Sequence, residues 1–488
     1  VSFPPLAPLT SNLRADVCIV GAGIAGLSVA YQLTRAGASV VVVEASELGS
    51  GETARTSAHL SNVLDTRYHH LESLHGAERT PLIAASHARA IDEIEAIAMH
   101  QGIACELRRV DGFLFAADGS DPSSLTNEQA AAQRAGIDVT WIERAPLLPF
   151  DTGRCLRFPN QAQFHPLRYL AGLAEAVRKA GGKIVGGHVV RVEGTPVVIE
   201  TTTGTAVTAD AAVVATNTPV NDRITMHTKQ AAYRTYVIAA PVPGGSIPSG
   251  LYWDTADPYH YVRLQPHDDA RDLLIVGGED HHTGEGTASR APFERLEAWA
   301  HARFEALGPV LHRWSGQIMA SIDGIGFIGR NPGDAANVFI ATGDTGNGLT
   351  HGTIAGLLLA DLIAGRSSPW TEVYEPSRIT PRAAWTFAKE SLHVAAGYAR
   401  WLAPARTQAH AELAPGHGAV LQRGLRKVAV YRDERGGLHE LSAVCPHLGG
   451  VVVWNDVEKS WDCPCHGSRF DTNGCVLNGP AASGLDPA

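Results

Sequence analysis

An α/β fold, with a parallel doubly wound sheet followed by a small all-β domain, is what this sequence predicts, and three observations predict it. A strand–glycine turn–helix–strand pattern opens at Ala15. Strand-like and helix-like runs then alternate to about Trp370. From near His410 the chain changes to short strand-like runs between glycine-rich turns, and four of its seven cysteines fall there. At 488 residues, a prior of roughly 100–200 residues per domain suggests about three units.

Val17–Val20 is an apolar run that reads as a buried strand. A helical pattern follows to about Ala36, Gly37 marks its stop, and Val40–Val43 reads as a second buried strand. Parallel strands joined by a helix build a doubly wound sheet. Gly21, Gly23 and Gly26 form G-x-G-x-x-G between the first strand and its helix. Gly21 permits the tight turn, Gly23 lets backbone approach a pyrophosphate at the helix N-terminus, and Gly26 lets the helix press on the strand. Glu44 ends the second strand at the usual distance for ribose hydroxyls. With strand, helix and carboxylate in register, the motif points to a dinucleotide. No second fingerprint of this kind occurs, so no separate nicotinamide domain is expected.

The junction follows. SSPWTEVYEPSRITP reads as irregular, and RAAWTFAKESLHVAAGYARWLAPA reads as a helix ending before Pro404 that packs the two large zones together. The expected divisions are 1–370, a linker with a helix at 371–407, and a C-terminal domain at 408–488. In that last zone KVAVYRD and ELSAV read as short strands.

The segment AVCPHLGGVVVWNDVEKSWDCPCHGSRFD contains C-x-H, a spacer, and C-x-x-H. Cys445, His447, Cys463 and His466 can meet as two thiolates and two imidazoles from facing loops. Spacing alone also fits a Cys2His2 zinc site. The surroundings CPHLGG, WDCPCHGSRFD and a later NGPA closely resemble the Rieske domain family, which implies a [2Fe–2S] cluster at these four ligands. Neutral imidazoles in place of two thiolates set such clusters at roughly −150 to +300 mV. Two departures place this domain with the lower-potential, ferredoxin-like class. Respiratory Rieske domains pair a first-loop cysteine with the middle cysteine of CPCH; here Gly450 holds that position, Cys465 lacks the partner, and Cys475 is the substitute to consider. Their serine is matched by Ser468, but their tyrosine is Phe470, which removes a hydrogen-bond donor to sulfur.

GSGETARTSAHL, VVATNTP and GDTGNGLTHGTIAG resemble the D-amino-acid-oxidase-like FAD-dependent oxidoreductases, over residues from about 15 to 375. Fusions of this flavoprotein type to a C-terminal Rieske domain form a recognisable subfamily. The resemblance implies a Rossmann-like FAD-binding domain with a β-sheet substrate domain, and FAD held by Gly21, Gly23, Gly26, Glu44, Ala215, Gly343, Gly346, Gly348, Leu349 and Thr350. Backbone N–H groups around Thr350 and His351 would stabilise negative charge on the reduced flavin. Related dehydrogenases carry a flavin-linked histidine where this chain has Arg55; His59 is a second, weaker candidate, and noncovalent FAD is expected.

The resemblance implies oxidation of an amine or amino-acid C–N bond. Arg263, Tyr236, Tyr261 and Arg55 are the candidates for substrate contact, with Tyr259 and His260 beside them. By the period of two, Tyr259, Tyr261 and Arg263 share a strand face, and Arg263 could bind a carboxylate bidentately; a Tyr/Arg face is about as often an edge or interface surface. His281–His282 lacks an evident second ligand pair and reads as a polar loop, and His69–His70 as a helix surface. The expected activity is a dehydrogenase whose electrons pass from FAD to the cluster and on to an external acceptor. The alternatives are an oxygen-using amine oxidase with a structural or sensing cluster, and an electron-transfer flavoprotein reduced through its cluster. A Rieske oxygenase is disfavoured, because almost nothing follows the cluster segment and no 2-His-1-carboxylate site is evident.

A formal charge of −10 argues against nucleic acid and against a polybasic membrane patch. No apolar run reaches the roughly 20 residues of a spanning helix. The start, VSFPPLAPLTSN, lacks the features of a secretory signal, so a cytoplasmic protein is expected.

Overall fold

The computed structural model describes residues 1, 3–121, 123–147, 150–221, 225–285, 290–402 and 413–488. The expected boundary at 407/408, and the start of the last zone near His410, lie outside the described residues.

The expected nucleotide sheet is present. Its strand order runs Phe327–Arg330, Val338–Thr342, Ala206–Val214, Leu13–Val20, Val40–Glu44 and Lys183–Gly186. The central strands are parallel, with Val17 opposite Val40 and Ala211. Their buried stretches 17–20, 40–43 and 211–214 are continuous apolar runs because helices cover one face and further structure the other. The helices Ile24–Arg35 and Gly348–Ile363 pack against each other on one face. Gly352 and Gly356 allow this: a Cβ at either would meet backbone of the first helix, at Ala25 or Ser28.

A second, mixed sheet carries His312–Ser321, Gln230–Pro243, Arg271–His282, Tyr261–Pro266, Leu251–Asp254, Arg108–Phe115, Cys155–Gln163 and His59–Leu60. Side-chain alternation sorts its two faces. Val237, Ala239, Trp253, Tyr261 and Ile275 join the core shared with the nucleotide domain. Tyr236, Ile238, Val262 and Val276 point the other way and pack on Phe293 and Leu296 of the helix Ala291–His301.

The stretch expected to be irregular holds a short helix, Thr371–Tyr374, and is tied to the flavoprotein half. Arg378 is buried; it donates to Asp323 (2.7 and 2.8 Å) and to the carbonyls of Ile325 and Gly326, and stacks over Phe327 at 3.9 Å. The linker helix runs Ala384–Ala399.

The C-terminal domain is all-β. One small sheet is Gly418–Arg423, Arg426–Arg432 and Leu438–Ser442; another is Val453–Asn455, Ser460–Asp462, Arg469–Phe470 and Val476–Asn478. Trp461, Phe470, Val452 and the cysteines 445, 463 and 465 form its core. This domain docks on the second sheet. Glu458 takes both Arg469 of its own domain (2.7 Å) and the fully buried Arg234 of the flavoprotein half (2.5 Å). Arg469 also pairs with Asp462 at 2.9 Å. Asn478 donates to Glu52 at 2.9 Å, and Gln317 to the Gly467 carbonyl at 3.0 Å. Removing one partner from such a buried pair strands a charge and costs about 3–5 kcal/mol.

Candidate functional site: a nucleotide crevice and a Cys2His2 centre

The C-terminal ends of the parallel strands converge on the glycine turn, as binding crevices of open α/β sheets do. Gly21 has φ +101°, a conformation that favours glycine, and a Cβ there would lie 2.6 Å from the Ala215 carbonyl oxygen. A Cβ at Gly26 would meet the Gly21 carbonyl at 1.9 Å. The cradle therefore admits no side chains, as a pyrophosphate site at a helix N-terminus requires. Thr53, from the GSGETAR segment, closes its rim by accepting the Ile24 amide at 3.1 Å. Glu44 accepts the amides of Ala22 (2.7 Å) and Ser46 (3.0 Å), which fixes its carboxylate at the strand end.

The turn 343–347 follows the strand Val338–Thr342 and leads into the helix beginning at Gly348. Gly343 and Gly346 take positive φ, and Leu349 and Thr350 are buried. Thr350 turns its hydroxyl to His87 at 2.7 Å, leaving backbone rather than its side chain at the crevice. These residues fit FAD: Gly21, Gly23, Gly26, Glu44 and Ala215 would hold the dinucleotide, and the 343–350 segment the flavin end.

The expected substrate residues divide. Tyr261 faces the crevice, bonded to Thr235 at 3.1 Å and edge-on to the half-buried ring of His59. Arg263 shares that face but its guanidinium is committed: it donates to the Ser57 and Leu264 carbonyls and to Gln265 (3.0 Å). Burial pushes its pKa down to about 10, so it is a packed cation, not an open carboxylate clamp. Tyr236 lies on the opposite face, stacked on His281 and against Phe293. Arg55 points to the C-terminal domain, 3.9 Å from Glu458 and donating to the Ser315 carbonyl. Tyr259 precedes its strand, and His260 binds Asp254 at 2.8 Å and stacks on Trp299. His69 pairs with Glu128 at 2.8 Å, and His70 is exposed.

What the crevice offers instead is acid. Burial pushes the Asp280 carboxyl up to about 7, with Asp65 and Glu279 adding repulsion against a lowering bond from Thr235. Burial likewise raises Asp65 to about 6 and Asp344 to about 7, and Glu52 stands beside Asp344. Asp280 Oδ1 is buried without a partner among the described residues. The only sequence signal for this group is acid at strand and turn ends, which solvent-facing carboxylates share.

The four sequence-predicted metal ligands come together. CPHLG and CPCHG fold as twin five-residue loops: Gly449 N donates to the Cys445 carbonyl and Gly467 N to the Cys463 carbonyl, both at 3.0 Å. Cys445 and Cys463 are buried, and contact between their thiols, then burial, holds the Cys445 thiol far above its ordinary range. The imidazoles of His447 and His466 meet edge-on at 5.0 Å. Burial, then the neighbouring His227, pushes His466 down to about 4, so it is a neutral ligand at physiological pH. Two buried thiols and two imidazoles are the donor set of a Rieske [2Fe–2S] centre. Ser468 hydrogen-bonds the Cys445 sulfur, whereas Phe470 is a fully buried ring with no hydroxyl. Cys475 is exposed and not bonded to Cys465. Cys465 lies instead between two glycines: a Cβ would stand 2.7 Å from its sulfur at Gly450 and 2.9 Å at Gly397 of the linker helix.

His227, from the flavoprotein half, was not singled out by sequence. It is buried, with its ring edge-on 4.6 Å from that of His447 and 6.0 Å from that of His466. The expectation for His281–His282 is also overturned. The pair ends the strand Arg271–His282, and His282 stacks on His393 of the linker helix at 3.8 Å. The fold thus supplies a second histidine that sequence distance had hidden.

Among the described residues no helix is long and apolar enough to cross a membrane. The model of the FAD dependent oxidoreductase family matches residues 16–362, and that of the Rieske [2Fe-2S] domain matches 404–487. The chain is 31% identical over 491 residues, 99% of its length and 95% of the relative's, to the Rieske 2Fe-2S iron-sulfur protein YhfW of Bacillus subtilis (strain 168). It is 26% identical over 385 residues, 74% of this chain and 87% of the relative, to gamma-glutamylputrescine oxidoreductase of Escherichia coli (strain K12). Glycine oxidase from Geobacillus kaustophilus shares the fold, with TM-score 0.62 and 19% identity over 75% of this chain and 99% of that one. The cradle, the twin loops and these matches together establish that the chain belongs to the FAD dependent oxidoreductase family, binds FAD, and carries a C-terminal Rieske [2Fe–2S] domain.

Proposed function

We propose that the protein is a dehydrogenase that oxidises the C–N bond of an amine or amino acid, with cationic amines favoured, and delivers the electrons through its cluster to an external acceptor. When bound, FAD takes the hydride from the carbon beside nitrogen and the cluster carries electrons onward singly. The observation that carries this reading is His227: a flavoprotein side chain packed against both imidazole ligands, 4.6 Å from His447 and 6.0 Å from His466. Both histidine ligands are thereby turned toward the flavoprotein half. Gln230, three residues on, accepts from Thr342 at 2.9 Å at the start of the turn at the flavin end of the crevice. His227 and Gln230 thus hold the two centres in fixed register.

On the substrate side, Asp280 and Asp65 supply negative charge in a crevice shielded from water, which favours an ammonium group over a free carboxylate. Tyr261 and Thr235 orient Asp280's surroundings. The relative named for gamma-glutamylputrescine supports an amine substrate.

The test is anaerobic titration with secondary amines, N-methylated amino acids and D-amino acids, watching flavin bleaching, then rapid mixing with the active compound. The cluster is expected to become reduced within one turnover. A cluster that stays oxidised through turnover, or stoichiometric peroxide unchanged in His447→Ala, would overturn the reading.

A further inference from the structure

At the junction of the second sheet, the linker helix and the cluster loop, four side chains meet that neither the nucleotide crevice nor the cluster uses. His282 ends its strand; Glu285 follows it by three residues; Glu390 and His393 sit one turn apart on the linker helix. His393 Nδ1 lies 3.4 Å from Glu285 Oε1, and His282 Nδ1 lies 4.0 Å from Glu285 Oε2. One ligand atom from each of the three residues lies within 4.8 Å of the other two.

The fourth residue explains how His282 is oriented. Its Nε2 is bonded to Glu390 at 2.9 Å, and Glu390 is itself steadied by the Tyr233 hydroxyl at 3.1 Å. A carboxylate can only accept, so Nε2 carries the proton and Nδ1 presents its lone pair toward Glu285 and His393. A carboxylate behind a histidine, fixing its tautomer and raising its basicity, is the arrangement that metal-ligating histidines use.

We propose that His282, His393 and Glu285 bind a divalent transition-metal ion, with Glu390 as the positioning residue. Two imidazoles and one carboxylate suit zinc, ferrous or manganous ions, whereas calcium and magnesium prefer all-oxygen sets. A cavity of about 140 Å³ bordered by His282, Glu390, His393, Pro464 and His466 adjoins the site and has room for water to complete the shell. Binding draws the two rings out of their 3.8 Å stack so that both lone pairs converge. The ion joins elements that already touch the cluster loop. A Cβ at Gly284 would stand 2.8 Å from Pro464, and one at Gly397 would stand 2.9 Å from the Cys465 sulfur. It therefore clips the linker helix to the second sheet and steadies the loop bearing Cys463 and His466.

The experiment uses the full-length holoenzyme. Elemental analysis of purified protein reads which metal is present in excess of cluster iron, and calorimetric titration with Zn²⁺ after mild chelation reads stoichiometry. One ion per chain is expected, with binding lost in His282→Ala and His393→Ala and weakened roughly 10–100-fold in Glu390→Gln. Flavin and cluster absorbance monitor folding. If His393→Ala loses them, Glu285→Gln and Glu390→Gln decide, since both keep shape and remove charge. Unchanged Zn²⁺ binding across correctly folded variants, or no binding at micromolar Zn²⁺, overturns the proposal.

Discussion

The His227 imidazole stands edge-on to that of His447, at an interplanar angle of 75°. A residue of the flavoprotein half thus covers the histidine edge of the cluster. His227→Ala is expected to slow cluster reduction after flavin reduction by roughly tenfold, equivalent to about 1.4 kcal/mol of barrier. Flavin bleaching by substrate should keep its rate. Stopped-flow absorbance at flavin and cluster wavelengths separates the two phases; equal phases in variant and parent would remove His227 from the path.

Asp280 leads to a specificity prediction. A bond to a charged partner is worth about 1.5–3 kcal/mol, so Asp280→Asn should raise KM for a cationic amine roughly 10–100-fold, with a smaller effect on kcat. The pH dependence has a defined sign. The folded carboxyl titrates at about 7: below that it is neutral and binds ammonium poorly, above it is anionic. KM for the amine should fall as pH rises through about 7, and that step should vanish in Asp280→Asn.

Gly450 and Cys465 are placed for a covalent test. A Cβ at Gly450 lies 2.7 Å from the Cys465 sulfur, close to what a disulfide requires. Gly450→Cys should form that bond under mild oxidation, seen as a loss of about 2 Da per chain that reductant reverses and Cys465→Ser abolishes. The Cys463 sulfur is only 3.0 Å from the same point, so slower cluster incorporation is expected as well.

Arg378 and Asp323 make a stability prediction. Asp323→Ala leaves a buried guanidinium unmatched and should cost about 3–5 kcal/mol, read as a lowered denaturation midpoint. Burial acts to raise Asp323, but Arg378 overrides it and holds the carboxyl down at about 2. The folded value lies below the ordinary 3.8. The stabilisation is therefore complete above that ordinary value and is lost as pH falls from there through about 2. Acid unfolding of Asp323→Asn should show a shallower pH dependence in this window.

The glycine motif and the paired Cys-x-His and Cys-x-x-His spacings were legible because each is local: a turn's backbone demands and a loop's ligand geometry fall within a few residues. The substrate side was not. Period-two reasoning put Tyr261 and Arg263 on one face, and they are, but it could not reveal that Ser57 and Gln265 occupy the guanidinium. Nor does it say which face of the strand meets the crevice: the sequence offers Tyr236, but its neighbour Thr235 does the facing. His227, and the meeting of His282 with His393, depend on docking between elements more than a hundred residues apart. Such contacts leave no periodic trace in one sequence.

Arg234 has one further consequence. Its side chain is 1% exposed, and its ion-pair partner is Glu458, 224 positions later, with Glu52 and Asp462 adding weaker attraction. A ribosome makes the chain from the N-terminus, so the flavoprotein half emerges before the ion-pair partner of this cation does. Completion of the chain is thus built into the charge balance of its first half. Without the C-terminal domain the guanidinium loses that ion pair and the docking face around it is opened to water, so the first half is expected to be less stable alone than in the full chain.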